Sequence, residues 1–388
     1  MRSFFKKRIL KKVGLSFLSF LVLFLIAEII IRKYFPTIPE GGHHKIFVQH
    51  HPVLGWSKKP DFAGKHVTSE YSITEQINSR GIRGPEYSYT KKTNERRIII
   101  LGDSFAEGYT VQFQDLFSEV LKKELNSTSS NITYETINMG TAGYSTDQEL
   151  LCFTEEGKRY SPDITVILFY YNDVWLNNQT KYWRGQKPVF RYREGKLIAE
   201  NIPAPPPEIN TWSKIQGWIY EKFYVFRFIH DRSASIRKGV PENSDRHASN
   251  IPLTVTVLKK ETNEKANEAW RITEGLLELF AKETDNAGSK LLVVYVPMRE
   301  AIHSEDWRKT LKTYNIKEEN WDVNLPLERV ETICRNKNIP FCDLTQPFKE
   351  KALNSQTRLY YKIDRHWNKE GHALTGKVIA KKILQMGL

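Results

Sequence analysis

Four short stretches carry the residue types that serine acyl transfer requires. Leu101-Gly102-Asp103-Ser104 follows an apolar run, where Gly102 permits a sharp exit from a strand and Ser104 can stand exposed at the strand's carboxyl end. Taken alone, Gly-Asp-Ser is equally an ordinary strand-to-helix turn with Asp or Ser as its cap. Asn138-Met139-Gly140-Thr141-Ala142-Gly143 adds glycines whose N–H groups can approach a ligand closely, and Tyr171-Asn172-Asp173 adds a side-chain amide. Asp364-Arg365-His366, with a second histidine at His372, adds a carboxylate and an imidazole. Acyl transfer needs a nucleophile, a base, a carboxylate to orient that base, and donors for the oxyanion. Each motif is weak by itself; the combination points to chemistry.

The elements around these motifs place them on one edge. Arg97–Leu101 reads as a short buried strand, followed by a helix from about Phe113 to Leu125. Thr133–Asn138 is a second strand, Asp147–Tyr160 a second helix, and Ile164–Tyr170 a third strand, apolar throughout as expected when both faces are covered. A long helix over Glu264–Ala287 leads to the strand Lys290–Pro297, and a final helix follows Asn368. Strands separated by helices at this spacing predict an α/β fold, a three-layer doubly wound parallel sheet from residue 96 to 388. All four motifs then fall at carboxyl ends of strands or before the last helix. Residues 175–263 interrupt the alternation with Pro203, Pro205, Pro206 and Pro207, the aromatic stretch Trp212–Phe228, and the basic Arg232–Lys238. They are expected to form a lid-like insert, whose rings either pack it onto the main domain or wall an acyl or sugar site.

Of 388 residues, 58 are Lys or Arg and 45 Asp or Glu, a net charge of +13. Residues 1–33 alone contribute +7, so the remainder is only mildly basic and nucleic acid is not an expected partner. That basic cluster flanks Val13–Ile31, a 19-residue apolar run about 28 Å long as a helix, close to the hydrocarbon thickness of a bilayer. The positive-inside bias places the N-terminus in the cytoplasm and residues 34–388 outside it, behind an uncleaved signal anchor. Residues 34–95 read as a polar extracytoplasmic approach segment with strand-like alternation over His66–Ile77.

The order Gly-Asp-Ser, Gly, Asn, Asp…His resembles that of the SGNH (GDSL-type) hydrolases from about Arg97 to the C-terminus, outside the insert. LGDSFAEGYTV, NMGTAGYSTDQEL, PDITVILFYYNDV and DRHWNKEGH are similar to membrane-anchored bacterial members, and INSRGIRG at Ile77–Gly84 to a leader segment that precedes the domain in them. The resemblance implies Ser104 as nucleophile, His366 as general base and Asp364 as the carboxylate that orients it. The oxyanion hole would combine the Ser104 and Gly143 backbone N–H groups with the Asn172 amide, and Asp103 would hold the turn beneath Ser104. The common family spacing is Asp-x-x-His. The Asp-x-His found here occurs in relatives linked to O-acetylation of exported polysaccharides, and it leaves His372 as a rival base.

The expected function is an O-acyl esterase acting on a cell-envelope glycan or lipid ester. The alternatives are an O-acyltransferase for an exported polysaccharide, or a catalytically silent envelope protein that binds glycan or docks a membrane-bound acyltransferase. No cofactor or metal is expected. His43, His44, His50 and His51 lack companions at a ligand spacing. Cys152 reads as a buried thiol, while Cys334 and Cys342 could pair if their Cα atoms approach.

Overall fold

Strands and helices alternate from Glu95 onward in the computed structural model, which describes residues 2–34, 47–129, 131–182, 185–207, 211–226, 228–229, 251–354 and 358–387. The chain opens with helix α1 (Arg2–Tyr34) and strands β1 (Val48–His51), β2 (Gly55–Lys58), β3 (Phe62–Val67) and β4 (Ser72–Ile77). Strand β5 (Glu95–Gly102) is followed by α2 (Ser104–Glu107), α3 (Phe117–Thr128), β6 (Thr133–Asn138), α4 (Thr146–Glu155), β7 (Ile164–Phe169) and α5 (Asp173–Leu176). Short strands β8 (Lys181–Tyr182), β9 (Gly185–Gln186), β10 (Val189–Arg193) and β11 (Lys196–Glu200) precede α6 (Thr211–Lys222) and the long α7 (Glu264–Asn286). Strand β12 (Lys290–Tyr295), α8 (Arg299–Ile302), α9 (Ser304–Tyr314), α10 (Leu325–Asn336), β13 (Phe341–Asp343), α11 (Thr345–Asn354) and α12 (Lys369–Gln385) complete it.

Five strands form one all-parallel sheet in the order β13-β12-β7-β5-β6. The winding direction reverses between β5 and β7, and ligands bind at such switch points outside the carboxyl ends of the strands. Alternation of side chains along each strand divides the core into two layers. Ile99, Leu101, Ile167, Phe169 and Val293 pack with Phe153 of α4, Phe280 of α7 and Val330 of α10. Ile98, Ile100, Val166, Leu168 and Val294 pack on the other face with Leu121 of α3, Phe348 of α11 and Ile379 of α12. Each such side chain contributes roughly 1.5–3 kcal/mol by leaving water. The two-layer division also decides the cysteines. Cys334 packs in the first layer and Cys342 in the second, so the sheet separates them, and all three cysteines are buried free thiols.

The chain divides into two compact units. The larger comprises His44–His66, Glu70–Pro207 and Asn243–Leu388, and it contains the sheet. Within it, β10 and β11 form a hairpin laid on α7, with Arg271 over the Tyr192 ring at 4.1 Å. Lys187 is buried there against the Asp147 carboxylate, and Asn201 Nδ2 donates to its carbonyl at 2.7 Å. The first part of the 175–263 stretch therefore belongs to the body of this unit. The smaller unit comprises Met1–His43, Val67–Ser69 and Glu208–Glu242, so the aromatic stretch Trp212–Phe228 groups with α1. His43, His44 and Arg232–Lys238 lie outside the described residues. Helix α1 holds one segment, Lys11–Tyr34, long and apolar enough to cross a membrane, with mean hydropathy 2.5 over its most apolar window.

Candidate active site

Strand β5 ends in a turn that only glycine can make. Gly102 has φ +152°, and a Cβ there would lie 2.7 Å from Ala106 Cβ and 3.0 Å from Leu168 Cβ. The Asp103 carboxylate accepts the Phe105 N–H at 2.8 Å and caps α2, leaving Ser104 as its first residue. Burial pushes the Asp103 carboxyl up to about 6, against that hydrogen bond.

Ser104 Oγ lies 2.7 Å from His366 Nε2, although 262 residues separate them in sequence. His366 Nδ1 lies 2.7 Å from Asp364 Oδ1, and the two side chains are 22% and 16% exposed. Asp364 and His366 occupy a tight loop closed by a bridge between Tyr360 and Trp367 and by the Tyr361 N–H donating to the His366 carbonyl at 2.8 Å. Between them Arg365 is left-handed, at φ +76°. That conformation turns the chain back so the imidazole returns to the carboxylate two residues before it, which is how the one-residue spacing works. Phe105 and Tyr109 flank the imidazole at 4.7 and 5.2 Å between ring centres. The Tyr109 hydroxyl also lies 3.0 Å from Nδ1, but the shorter approach of Asp364 gives the carboxylate the Nδ1 proton. Burial would raise the Asp364 carboxyl, yet the His366 charge and hydrogen bonds from His366 and Tyr71 hold it at about 2. Burial lowers the His366 imidazole, and the Asp364 charge and hydrogen bond outweigh it, so its value stands above the ordinary 6.5.

Asn172 sits at the carboxyl end of β7 and Gly143 in the loop after β6, on the two sides of Ser104. The Gly140–Tyr144 loop is pinned almost completely. Gly140 N–H donates to Asn138 Oδ1, Thr141 N–H to the Gly102 carbonyl, Ala142 N–H to Glu107 Oε2, and Tyr144 N–H to the Thr141 carbonyl. Gly143, at φ +77°, is the exception: its N–H donates to no described protein acceptor, and neither does the Ser104 N–H. Among the described residues the Asn172 amide likewise meets no hydrogen-bond partner, and its Oδ1 is buried without one. Three donors thus remain available around one serine.

Much of this geometry is braced by the 34–95 segment. The Tyr71 hydroxyl donates to Asp364 Oδ2 at 2.7 Å. The neighbouring Glu70 carboxylate accepts the N–H groups of Lys362, Ile363 and Asp364 at 2.7–3.0 Å, clamping the loop that carries the dyad. On the Gly140–Tyr144 side, Lys58 donates to the Gly140 carbonyl and Trp56 Nε1 to the Ala142 carbonyl. Arg83, from the INSRGIRG stretch, donates to the carbonyls of Glu107, Gly108 and Val111 behind α2. Arg299 and Glu300 of α8 hold the same Asp364–His366 loop through the Tyr361 and Lys362 carbonyls and the Arg365 guanidinium. Of these, sequence reading singles out only Arg83, through its motif. The others pair across tens to hundreds of residues and leave no local signal.

His372 is 1% exposed in the opening turn of α12, and its Nδ1 accepts the Phe117 N–H at 3.3 Å. Burial holds its imidazole down at about 3, so it is a neutral structural acceptor. His50 Nε2 meets the Ala204 carbonyl at 2.9 Å, and His51 Nδ1 accepts the Val53 and Leu54 N–H groups. Among the described residues, no three His, Cys, Asp or Glu side chains are grouped to hold a metal.

A serine, an imidazole and a carboxylate in this order at the carboxyl edge of a parallel sheet are the groups that serine acyl transfer uses. Residues 257–387 match the family described as the SGNH hydrolase-like domain of the acetyltransferase AlgX. The match takes in Asp364 and His366, while Ser104, Gly143 and Asn172 precede it. An acetyl-xylooligosaccharide esterase from Geobacillus is 14% identical, covers 74% of this chain and 94% of its own, and has a TM-score of 0.39. A GDSL-like lipase from Bacteroides thetaiotaomicron is 16% identical, with 78% and 93% covered and a TM-score of 0.37. A lipase/acylhydrolase from Enterococcus faecalis is 13% identical, with 75% and 96% covered and a TM-score of 0.38. No curated protein matches the chain in sequence.

Proposed function

We propose that the chain moves a short acyl group through an ester on Ser104, acting on an O-acylated glycan of the cell envelope from a membrane anchor. The observation that carries the chemistry is the unbroken chain of contacts from Ser104 Oγ through His366 to Asp364, each 2.7 Å. Ser104 attacks the ester carbonyl while His366 Nε2 takes its proton. Charge developing on the carbonyl oxygen is met by the Ser104 and Gly143 N–H groups and the Asn172 amide. Collapse breaks the bond to the alcohol, which leaves with the proton from His366. An acceptor hydroxyl then gives its proton to His366, attacks the acyl-serine and releases Ser104.

Water as acceptor makes the protein an esterase; a sugar hydroxyl makes it a transferase. The similarity of residues 257–387 to an acetyltransferase domain favours transfer of acetyl to an exported polysaccharide. The basic residues in the first turns of α1, ahead of its apolar run, favour a cytoplasmic N-terminus and an extracytoplasmic site. The test uses the full chain in detergent, with p-nitrophenyl acetate, with and without an oligosaccharide acceptor. Turnover and phosphonate labelling that vanish in Ser104→Ala, with acetylated sugar as product, are expected. Absence of Ser104-dependent turnover and labelling overturns the proposal; turnover to acetate alone selects the esterase.

A further inference from the structure

Helix α1 contains a carboxylate where a bilayer-spanning segment should avoid one. Glu28 is its sole buried residue among those whose side chains are described, at 7% exposure. Its oxygens accept the backbone N–H groups of Tyr224 and Val225 at 2.9 Å each and the Arg32 guanidinium at 2.7 Å. Arg32 also donates to the Lys222 carbonyl at 2.8 Å and lies 4.7 Å from the Tyr224 ring centre. One turn further in, Phe24 packs against Phe223 and Phe226 at 5.6 and 5.8 Å.

Phe24, Glu28 and Arg32 follow at i, i+4 and i+8, so contacts line this one face of α1 over about 12 Å of its length. If Arg32 and Lys33 stand at the headgroups, Phe223 and Phe226 reach the hydrocarbon. Backbone at that depth must have its hydrogen bonds met by protein. Residues 224–226 are helical, and Glu28 meets two of the N–H groups that the first turn of a helix leaves open. Trp212, Ile215 and Trp218 lie on one stripe of α6 and are exposed, as are Phe226 and Ile229. Trp218 meets Phe223 at 5.8 Å and Phe223 meets Phe24, so these rings adjoin α1, whose Phe17, Phe20, Leu23 and Ile29 are all exposed. Tryptophan in such a position is characteristic of the membrane–water interface.

We infer that residues 211–226 and 228–229 are a second membrane element, embedded beside α1 in the leaflet at its C-terminal end and capped there by Glu28, with lipid covering their exposed rings. This inference rests on α1 spanning the bilayer and is independent of the ester chemistry.

The test places nitroxides by single cysteine substitution in the full chain in phosphatidylcholine nanodiscs and compares relaxation by oxygen and by a water-soluble nickel chelate. The native cysteines are buried thiols pushed up to about 12, so they resist labelling. Labels at Trp218→Cys and Ile229→Cys are expected to show a several-fold higher oxygen-to-nickel ratio than a label at Ile198→Cys on β11. A label at Phe17→Cys reports α1. A lipid-like ratio at Phe17 with water-like ratios at 218 and 229 overturns the inference alone, and a water-like ratio at Phe17 overturns the anchor as well. Labels at 218 and 229 shielded from both reagents mean that a protein covers the patch, which also overturns it. Glu28→Ala should bring the ratio at Ile229 down several-fold toward the Ile198 value while p-nitrophenyl acetate turnover persists. An unchanged ratio refutes the role of Glu28.

Discussion

Removing one oxygen atom from the approach segment should slow chemistry that involves a carboxylate 293 residues away. The Tyr71 hydroxyl donates to Asp364 Oδ2, while Oδ1 of the same carboxylate faces His366. Tyr71→Phe keeps the ring packed beside Tyr109 and Tyr361 and deletes only that donor. Hydrogen bonds to charged groups contribute about 1.5–3 kcal/mol. Asp364 is 16% exposed, so water can replace part of the interaction and the lower figure applies. About 1.4 kcal/mol corresponds to a tenfold loss of rate. The loss should fall on kcat, because Tyr71 orients the carboxylate behind the base, with KM close to wild type. The decisive measurement is a double-mutant cycle on p-nitrophenyl acetate. Once Asp364→Ala has removed the acceptor, adding Tyr71→Phe should cost less than twofold. A full tenfold loss in the Asp364→Ala background, or no loss in the wild type, refutes the reasoning that Tyr71 acts through Asp364.

Three further outcomes follow from the same geometry. The base must be neutral and its imidazole value is raised, so kcat/KM should fall as pH drops through a value above 6.5; Asp364→Asn removes the raising charge, moves that limb to lower pH and lowers the plateau by about 10³–10⁴. A limb that stays in place excludes His366 as the titrating base. Gly140→Ala should reduce kcat at least tenfold and lower the thermal midpoint, because its Cβ would sit 2.5–2.6 Å from Ala106 and the Glu107 backbone nitrogen, forcing the Gly140–Tyr144 loop off α2 at about 1–3 kcal/mol. Activity within twofold of wild type counts against that loop. His372 binds its proton near 3 when folded and near 6.5 when unfolded, so its contribution to stability is intact above 6.5 and declines as pH falls toward 3. His372→Gln keeps a neutral acceptor, and the wild type should lose up to about 1.4 kcal/mol per pH unit more than this variant across that range, read from unfolding midpoints.

The sheet was legible because its strands have strong local signatures. Strands β5, β7 and β12 carry near-continuous apolar runs at Ile98–Leu101, Ile164–Phe169 and Leu291–Tyr295, and each strand read at 97–101, 133–138, 164–170 and 290–297 lies within two residues of its structural bounds. The edge strand β13 escaped because three residues carry no period, and β10 and β11 because their pairing is with each other inside a stretch that reads as an insert. The 34–95 segment reads as a polar approach, since nothing local reveals that Tyr71, Glu70, Trp56 and Lys58 reach the two loops beside Ser104.

The amino-acid order alone determined which residues could do chemistry and that they stand at carboxyl ends of parallel strands, because burial period and turn chemistry act over a few residues. Only the tertiary structure decided which histidine meets Ser104. His366 and His372 are six residues apart, yet one faces the serine and the other is sealed beneath α3 by the Phe117 N–H. It likewise decided that a one-residue Asp-x-His spacing closes, through the left-handed Arg365, and that Glu28 in an apolar helix has two amide partners nearly 200 residues later. The physical reason is the same in each case. A hydrogen bond of 2.7 Å is a property of where two backbones are held, and packing of the whole chain sets that, not the residues adjoining either end.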